Sequence, residues 1–216
     1  MRNKIIEAVE NEKLIVIVRG VEREQLIPLA EAMYKGGVRL LELTFSADGK
    51  ISDCETADRI RMLSEHFDGR MFIGAGTVLT EKQVELCAKA GGKFIISPDT
   101  NEKVIKKTLE LGLVSMPGAL TPTEVQAAHR YGADFVKLFP VDSLGVSYVK
   151  ALRAPLSHVK LLAVGGVDLS NISEYKKTGV YGFGISSGII DKKLLAAGDF
   201  DGITKLAKKY VSLSKE

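Results

Sequence analysis

Eight short apolar runs punctuate the chain, at 14–18, 38–44, 71–75, 93–97, 113–116, 134–139, 160–164 and 181–185. Each is followed by a polar or glycine-rich turn, and most by a stretch with helical spacing. Most runs are apolar at both parities, the pattern of parallel strands buried on two faces rather than of half-exposed antiparallel ones. Helix starts are marked in the intervening stretches. Thr121 reads as an N-cap, with Pro122 at the first helical position and Glu124 as its capping-box partner. Thr80 with Gln83 repeats the box, and Asn101 opens a third helical window. Gly36, Gly91, Gly112, Gly132 and Gly179 each stand between a helical window and a strand, as helix-ending glycines should.

Eight strand–helix units of this length predict an α/β chain closed into a single (β/α)8 (TIM) barrel spanning residues 1–216. Residues 2–12 form an extra helix before the first strand. An open doubly wound sheet is the alternative, because periodicity does not report closure. No linker or low-complexity tract divides the chain. Its 216 residues, 45% hydrophobic and 26% charged, suffice for one full core.

A net charge of +3, with lysines and arginines dispersed, argues against nucleic acid as a partner. No apolar stretch approaches the length of a bilayer span, so no membrane association is expected. Cys54 and Cys87 match no CxxC pattern and the start does not resemble a signal peptide, which predicts reduced thiols in a cytoplasmic protein. His66, His129 and His158 form no HxH or HExxH cluster, so no metal is expected. No GxSxG marks a nucleophilic serine.

The chemistry is carried by side chains whose parity points into the barrel. In the run DFVKLFP, Phe135, Lys137 and Phe139 share one face. The first run places Ile15, Ile17 and Arg19 on one face, and the second places Leu40, Glu42 and Thr44. Lys137, Glu42 and Arg19 then converge at the C-terminal mouth, where barrels keep their catalytic groups. Burial disfavours an ammonium and exposes a nucleophilic amine, the usual handle for a Schiff base. A purely structural ion network is the competing reading. Swapping such charges for packed apolar groups is often neutral or stabilising, so three charges in one core call for another reason. The glycine-rich turns GAGTVLT (74–80), AVGGVDLS (163–170) and GISSGII (184–190) follow the third, seventh and eighth strands. The last two stand where barrels often bind phosphate, with Gly165 and Gly166 for close backbone approach and Ser186 and Ser187 for hydroxyls.

Taken in order, IVRG, GGVRLLELTF, GAGTVL, FIISP, MPGALTPTE, VKLFP, GGV and GISSG resemble the KDPG/KHG aldolase family over most of the chain. That resemblance implies a trimeric (β/α)8 barrel and a class I aldolase. It would cleave 2-keto-3-deoxy-6-phosphogluconate to pyruvate and glyceraldehyde 3-phosphate, or 4-hydroxy-2-oxoglutarate to pyruvate and glyoxylate. It assigns the Schiff base to Lys137 and the acid/base role to Glu42, and so implies no cofactor. Thr77 would lie near the pyruvate carboxylate. Thr44, Pro98, Phe139 and Val164 would line the pocket, and Gly165, Gly166 and Ser186–Ser187 would hold the phosphate.

Two positions depart from the family pattern. Ser46 stands where many members have an arginine, which makes Arg19 the replacement cation for the carboxylate. Val164 stands where phosphogluconate-type enzymes often have threonine, which keeps the phosphogalactonate epimer open as a substrate. A phosphosugar epimerase or isomerase, and a non-catalytic barrel binding a phosphorylated metabolite, are the readings from other classes.

Overall fold

A computed structural model describes residues 1–215. The chain opens with α1 (Arg2–Glu12), β1 (Leu14–Val18), α2 (Arg23–Lys35), β2 (Leu40–Thr44) and α3 (Asp53–His66). It continues through β3 (Phe72–Gly76), α4 (Glu81–Lys89), β4 (Phe94–Ile96), α5 (Glu102–Glu110), β5 (Val114–Met116) and β6 (Gly118–Ala119). Then follow α6 (Pro122–Arg130), β7 (Val136–Leu138), α7 (Gly145–Arg153), β8 (Leu161–Val164) and α8 (Ile172–Lys176). The last elements are β9 (Gly182–Ile185), α9 (Lys192–Ala197) and α10 (Phe200–Lys215).

All strand pairs are parallel, in the order β5-β4-β3-β2-β1-β9-β8-β7-β6. The fifth apolar run, 113–116, supplies β5, which pairs with β4; beyond Pro117 and outside that run, a second short segment, β6, pairs with β7. Proline offers no amide, but its carbonyl still accepts from Lys137 N at 2.8 Å, which carries the ladder across the break. The result is a (β/α)8 barrel with one interrupted stave.

The helix signals act as their chemistry demands. Both capping boxes are closed, with Thr80 and Thr121 each accepting from the third helical amide while Gln83 and Glu124 reach back. Asn101 caps α5 through the amides of Lys103 and Val104. Gly91, Gly112, Gly132 and Gly179 adopt left-handed φ values of 82, 70, 98 and 80°. Gly36 ends α2 as its C-cap in a right-handed conformation, and Gly37 takes the left-handed turn at φ 98°. Gly36 is small for another reason, since a Cβ there would overlap Ala207 Cβ on α10.

Two apolar layers follow from strand parity. One parity, including Val16, Leu41, Ile73 and Val136, packs outward under the helices. The other fills the barrel with Ile15, Ile17, Leu40, Phe94, Ile96, Val114, Met116, Phe135, Leu162 and Val164. Ile5 and Val9 of α1 join this inner cluster, so the extra helix stoppers the N-terminal end. Each such side chain contributes about 1.5–3 kcal/mol on burial. With that end closed, the opposite mouth is where the interior opens.

Candidate active site

Lys137 is the middle residue of β7 and is 7% exposed; Glu42, on β2, is 1% exposed. Both point into the barrel, as their parity predicts. Gly76 on β3 makes room for the carboxylate, because a Cβ there would overlap Glu42 Oε1. The other carboxylate oxygen, Oε2, is buried with no hydrogen-bond partner among the described residues. Between them lies a small enclosed chamber lined by Ile15, Ile17, Ile96, Leu162, Val164 and Gly184. A Cβ on Gly184 would come within 2.9 Å of Val164, so glycine keeps this chamber open.

Burial dominates the electrostatics. It pushes the Glu42 carboxyl up to about 7, against the opposing pull of the Lys137 and Arg19 charges. Burial likewise holds the Lys137 amine below the ordinary ammonium range. Glu42 opposes that shift and Arg19 adds to it. The lysine and glutamate thus act on each other through space, while desolvation moves both toward their neutral forms. Lys137 Nζ lies 4.7 Å from the centroid of the Phe139 ring, which covers it from one side.

Above the chamber the mouth widens into a cavity of about 600 Å³, reached by Ile17, Arg19, Thr77, Pro98, Lys137, Phe139 and Val164. Its far side is made by Gly165–Asp168 and Ser186–Gly188. The expected residues are therefore together in one cavity, except two. Glu42 sits beneath the cavity floor, in the chamber shared with Lys137. Thr44 faces a neighbouring cleft, with Ser46, Asp48 and Lys50, and its hydroxyl donates to Val18 O at 3.4 Å. Arg19 and Thr77 line both spaces and join them, since Arg19 Nη2 donates to Thr77 Oγ1 at 3.3 Å. Ser46 is turned to Asp48, to which it donates at 2.5 Å.

Thr77 has φ 55°, a left-handed backbone that a β-branched residue adopts only at a cost of order 1–3 kcal/mol. Such strain persists where the surroundings fix it, and here it presents the threonine at the end of β3 beside Arg19. Gly165 and Gly166 are also left-handed, at φ 92 and 73°, and a Cβ on Gly165 would press to 3.1 Å from Phe139 and Pro140. The amides of Gly165, Gly166, Ser187 and Gly188 donate to no backbone group among the described residues. Ser187 is exposed on the rim, whereas Ser186 donates its hydroxyl inward to Ile17 O at 3.1 Å. The turn thus keeps one free hydroxyl donor, not the two that the sequence suggests.

Asp168 also reaches the cavity and was missed in the sequence; its carboxylate is held low by bonds from Ser170, which tie it into the following turn. Among the described residues no cluster of three or more His, Cys, Asp and Glu could hold a metal ion. No helix among them is long and apolar enough to cross a membrane.

Fold and site together are those of a (β/α)8-barrel enzyme that sets an amine beside a carboxyl at its mouth. The model for KDPG and KHG aldolase matches residues 5–206. A 2-dehydro-3-deoxy-phosphogluconate aldolase of Treponema pallidum is 34% identical over 211 residues, covering 97% of both chains. A probable 2-dehydro-3-deoxy-6-phosphogalactonate aldolase of Rhizobium meliloti is 36% identical over 187 residues, covering 86% of this chain and 85% of that one. The solved KDPG aldolase of Legionella pneumophila, with pyruvate captured as a covalent carbinolamine, superposes with a TM-score of 0.83 at 26% identity, over 95% of this chain and 97% of that one. The chain belongs to the KDPG/KHG aldolase family, and its relatives are lyases.

Proposed function

We propose that the chain is a class I aldolase that splits 2-keto-3-deoxy-6-phosphogluconate into pyruvate and glyceraldehyde 3-phosphate. One observation carries this reading: an amine and a carboxyl, Lys137 and Glu42, are both buried and line one apolar chamber, and Lys137 also reaches the open cavity.

Neutral Lys137 attacks the C2 ketone, and loss of water leaves an iminium. Glu42 takes the C4 hydroxyl proton and the C3–C4 bond breaks, its electrons passing to the iminium nitrogen. The aldehyde leaves and an enamine remains. Protonated Glu42 returns its proton to C3, and water hydrolyses the resulting iminium to pyruvate and free lysine. A carboxyl that titrates near neutrality serves as both base and acid within one turnover. Arg19, bonded to Thr77, meets the substrate carboxylate, a charge-assisted contact. The phosphate lies against the Gly165–Gly166 and Ser187–Gly188 amides and the Ser187 hydroxyl. Phe139, Pro98 and Val164 exclude water around the iminium.

A second reading is favoured by Val164, whose apolar side chain reaches both the chamber and the cavity. It offers no hydrogen bond to a substrate hydroxyl, and so admits the 2-keto-3-deoxy-6-phosphogalactonate epimer. Parallel assays of pyruvate release from the two epimers and from 4-hydroxy-2-oxoglutarate test both readings. Fastest cleavage of the gluconate epimer supports the first and of the galactonate epimer the second. Turnover of none of the three overturns the aldolase assignment.

A further inference from the structure

We propose that Arg59, on the outer face of the barrel, is a positioning residue that sets Arg19 over the active-site cavity. The inference rests on the reading that Arg19 holds the substrate carboxylate. Arg59 lies on α3 and is only 9% exposed. Its Nη2 donates to Glu55 Oε1 at 2.6 Å, one turn earlier on the same helix. Its Nη1 crosses to the neighbouring loop and donates to Val21 O at 3.2 Å. Nε is buried with no hydrogen-bond partner among the described residues.

A buried guanidinium with an orphan donor is a poor stability device, because the cost of desolvation offsets much of what the pair returns. What this arginine does provide is a fixed bridge between α3 and the short β1–α2 connection, Arg19 to Glu22. That connection needs such a bridge. Gly20 takes φ 63°, and nothing lies within 4 Å of where a Cβ would stand, so no side chain packs against this side of the turn. Arg19 itself is exposed and, among the described residues, its side chain makes one hydrogen bond, the 3.3 Å bond to Thr77. Val21 is buried immediately beyond Gly20, and its carbonyl is the atom Arg59 grips. With the loop fixed at Val21, the Arg19 guanidinium stays at the height of Thr77. Released, the loop lets Arg19 swing toward solvent.

The test is a double-mutant cycle on the intact protein. Its readout is the pyruvate concentration that gives half-maximal borohydride trapping on the enzyme, with the unfolding midpoint recorded alongside. Arg59→Met should raise the half-saturating pyruvate about tenfold, the order expected from misplacing one charge-assisted contact. In an Arg19→Met background the same substitution should leave it unchanged, because there is no guanidinium left to position. A merely structural role would lower the unfolding midpoint and shift half-saturation by the same factor in both backgrounds, which overturns the proposal. If Arg59→Met does not fold, Glu55→Gln and Arg59→Lys loosen the same bridge and should give smaller shifts with the same dependence on Arg19. If Arg19→Met raises half-saturation but none of these changes does, the positioning role alone is wrong. If Arg19→Met itself has no effect, the carboxylate reading falls and this proposal with it.

Discussion

The closed and open ends of the barrel are built on the same strands and the same inward face, yet they do opposite work. Along β2 the inward sequence is Leu40 and then Glu42; approaching and along β7 it is Phe135 and then Lys137; along β1 and beyond it is Ile15, Ile17 and Arg19. One step of two residues moves the chain from dry packing, sealed by Ile5 and Val9, to ionisable groups whose neutral forms the packing favours. The lower layer is therefore more than filler under the site. It supplies the low dielectric that depresses the amine and raises the carboxyl. Stability and reactivity are drawn from one hydrophobic column, and substitutions at its two ends should separate them.

The largest separation is expected at Glu42. Glu42→Gln keeps the shape and removes the proton relay, so the cleavage rate should fall by ~10²–10⁴-fold. Its effect on stability has the opposite sign. The unfolded carboxyl ionises near 4.5, the folded one near 7, so unfolding releases a proton between those values and parent stability falls as pH rises through that window. The glutamine variant escapes this loss. Its advantage in urea unfolding should be near zero below pH 4.5 and grow to at most on the order of 3 kcal/mol above pH 7, reduced because Lys137 loses its counter-charge. A variant that is less stable than the parent at pH 8 would contradict the desolvation account.

At the other end, Phe94 opens β4, is fully buried, packs over Gly74, and lines neither the chamber nor the cavity. Phe94→Ala should cost about 3–5 kcal/mol in denaturant unfolding. The cleavage rate of the folded fraction should stay within a fewfold of the parent. A rate collapse with little loss of stability would mean that the two ends are not separable. A smaller effect is expected at the boundary. Val164→Thr introduces a hydroxyl into the wall of the chamber and should shift the ratio of kcat/KM for the two C4 epimers by about tenfold toward the gluconate form.

Much of this division is legible in the sequence, because strand period is a strong constraint. Once DFVKLF and LLELT are read as strands, Lys137 and Glu42 must share the inner face, and the capping boxes fix where the neighbouring helices begin. What depends on three-dimensional neighbours is not legible. Pro117 splits a stave without changing its apolar pattern. Gly36 and Gly37 look interchangeable until α10 is seen against one of them. Thr44 has inward parity, yet its position at the strand end turns it into the adjoining cleft. The left-handed backbone of Thr77 and the reach of Arg59 to Val21 depend on loop paths that no periodicity encodes.

The central claim is that the β7 amine is neutral enough, and close enough to the cavity, to bond a ketone. Reduction with borohydride in the presence of pyruvate, followed by peptide mass spectrometry, tests it most directly. The account predicts one pyruvate-derived group per chain, located on Lys137, still formed in Glu42→Gln and absent from Lys137→Ala. An adduct on another lysine, or none at saturating pyruvate, would contradict it.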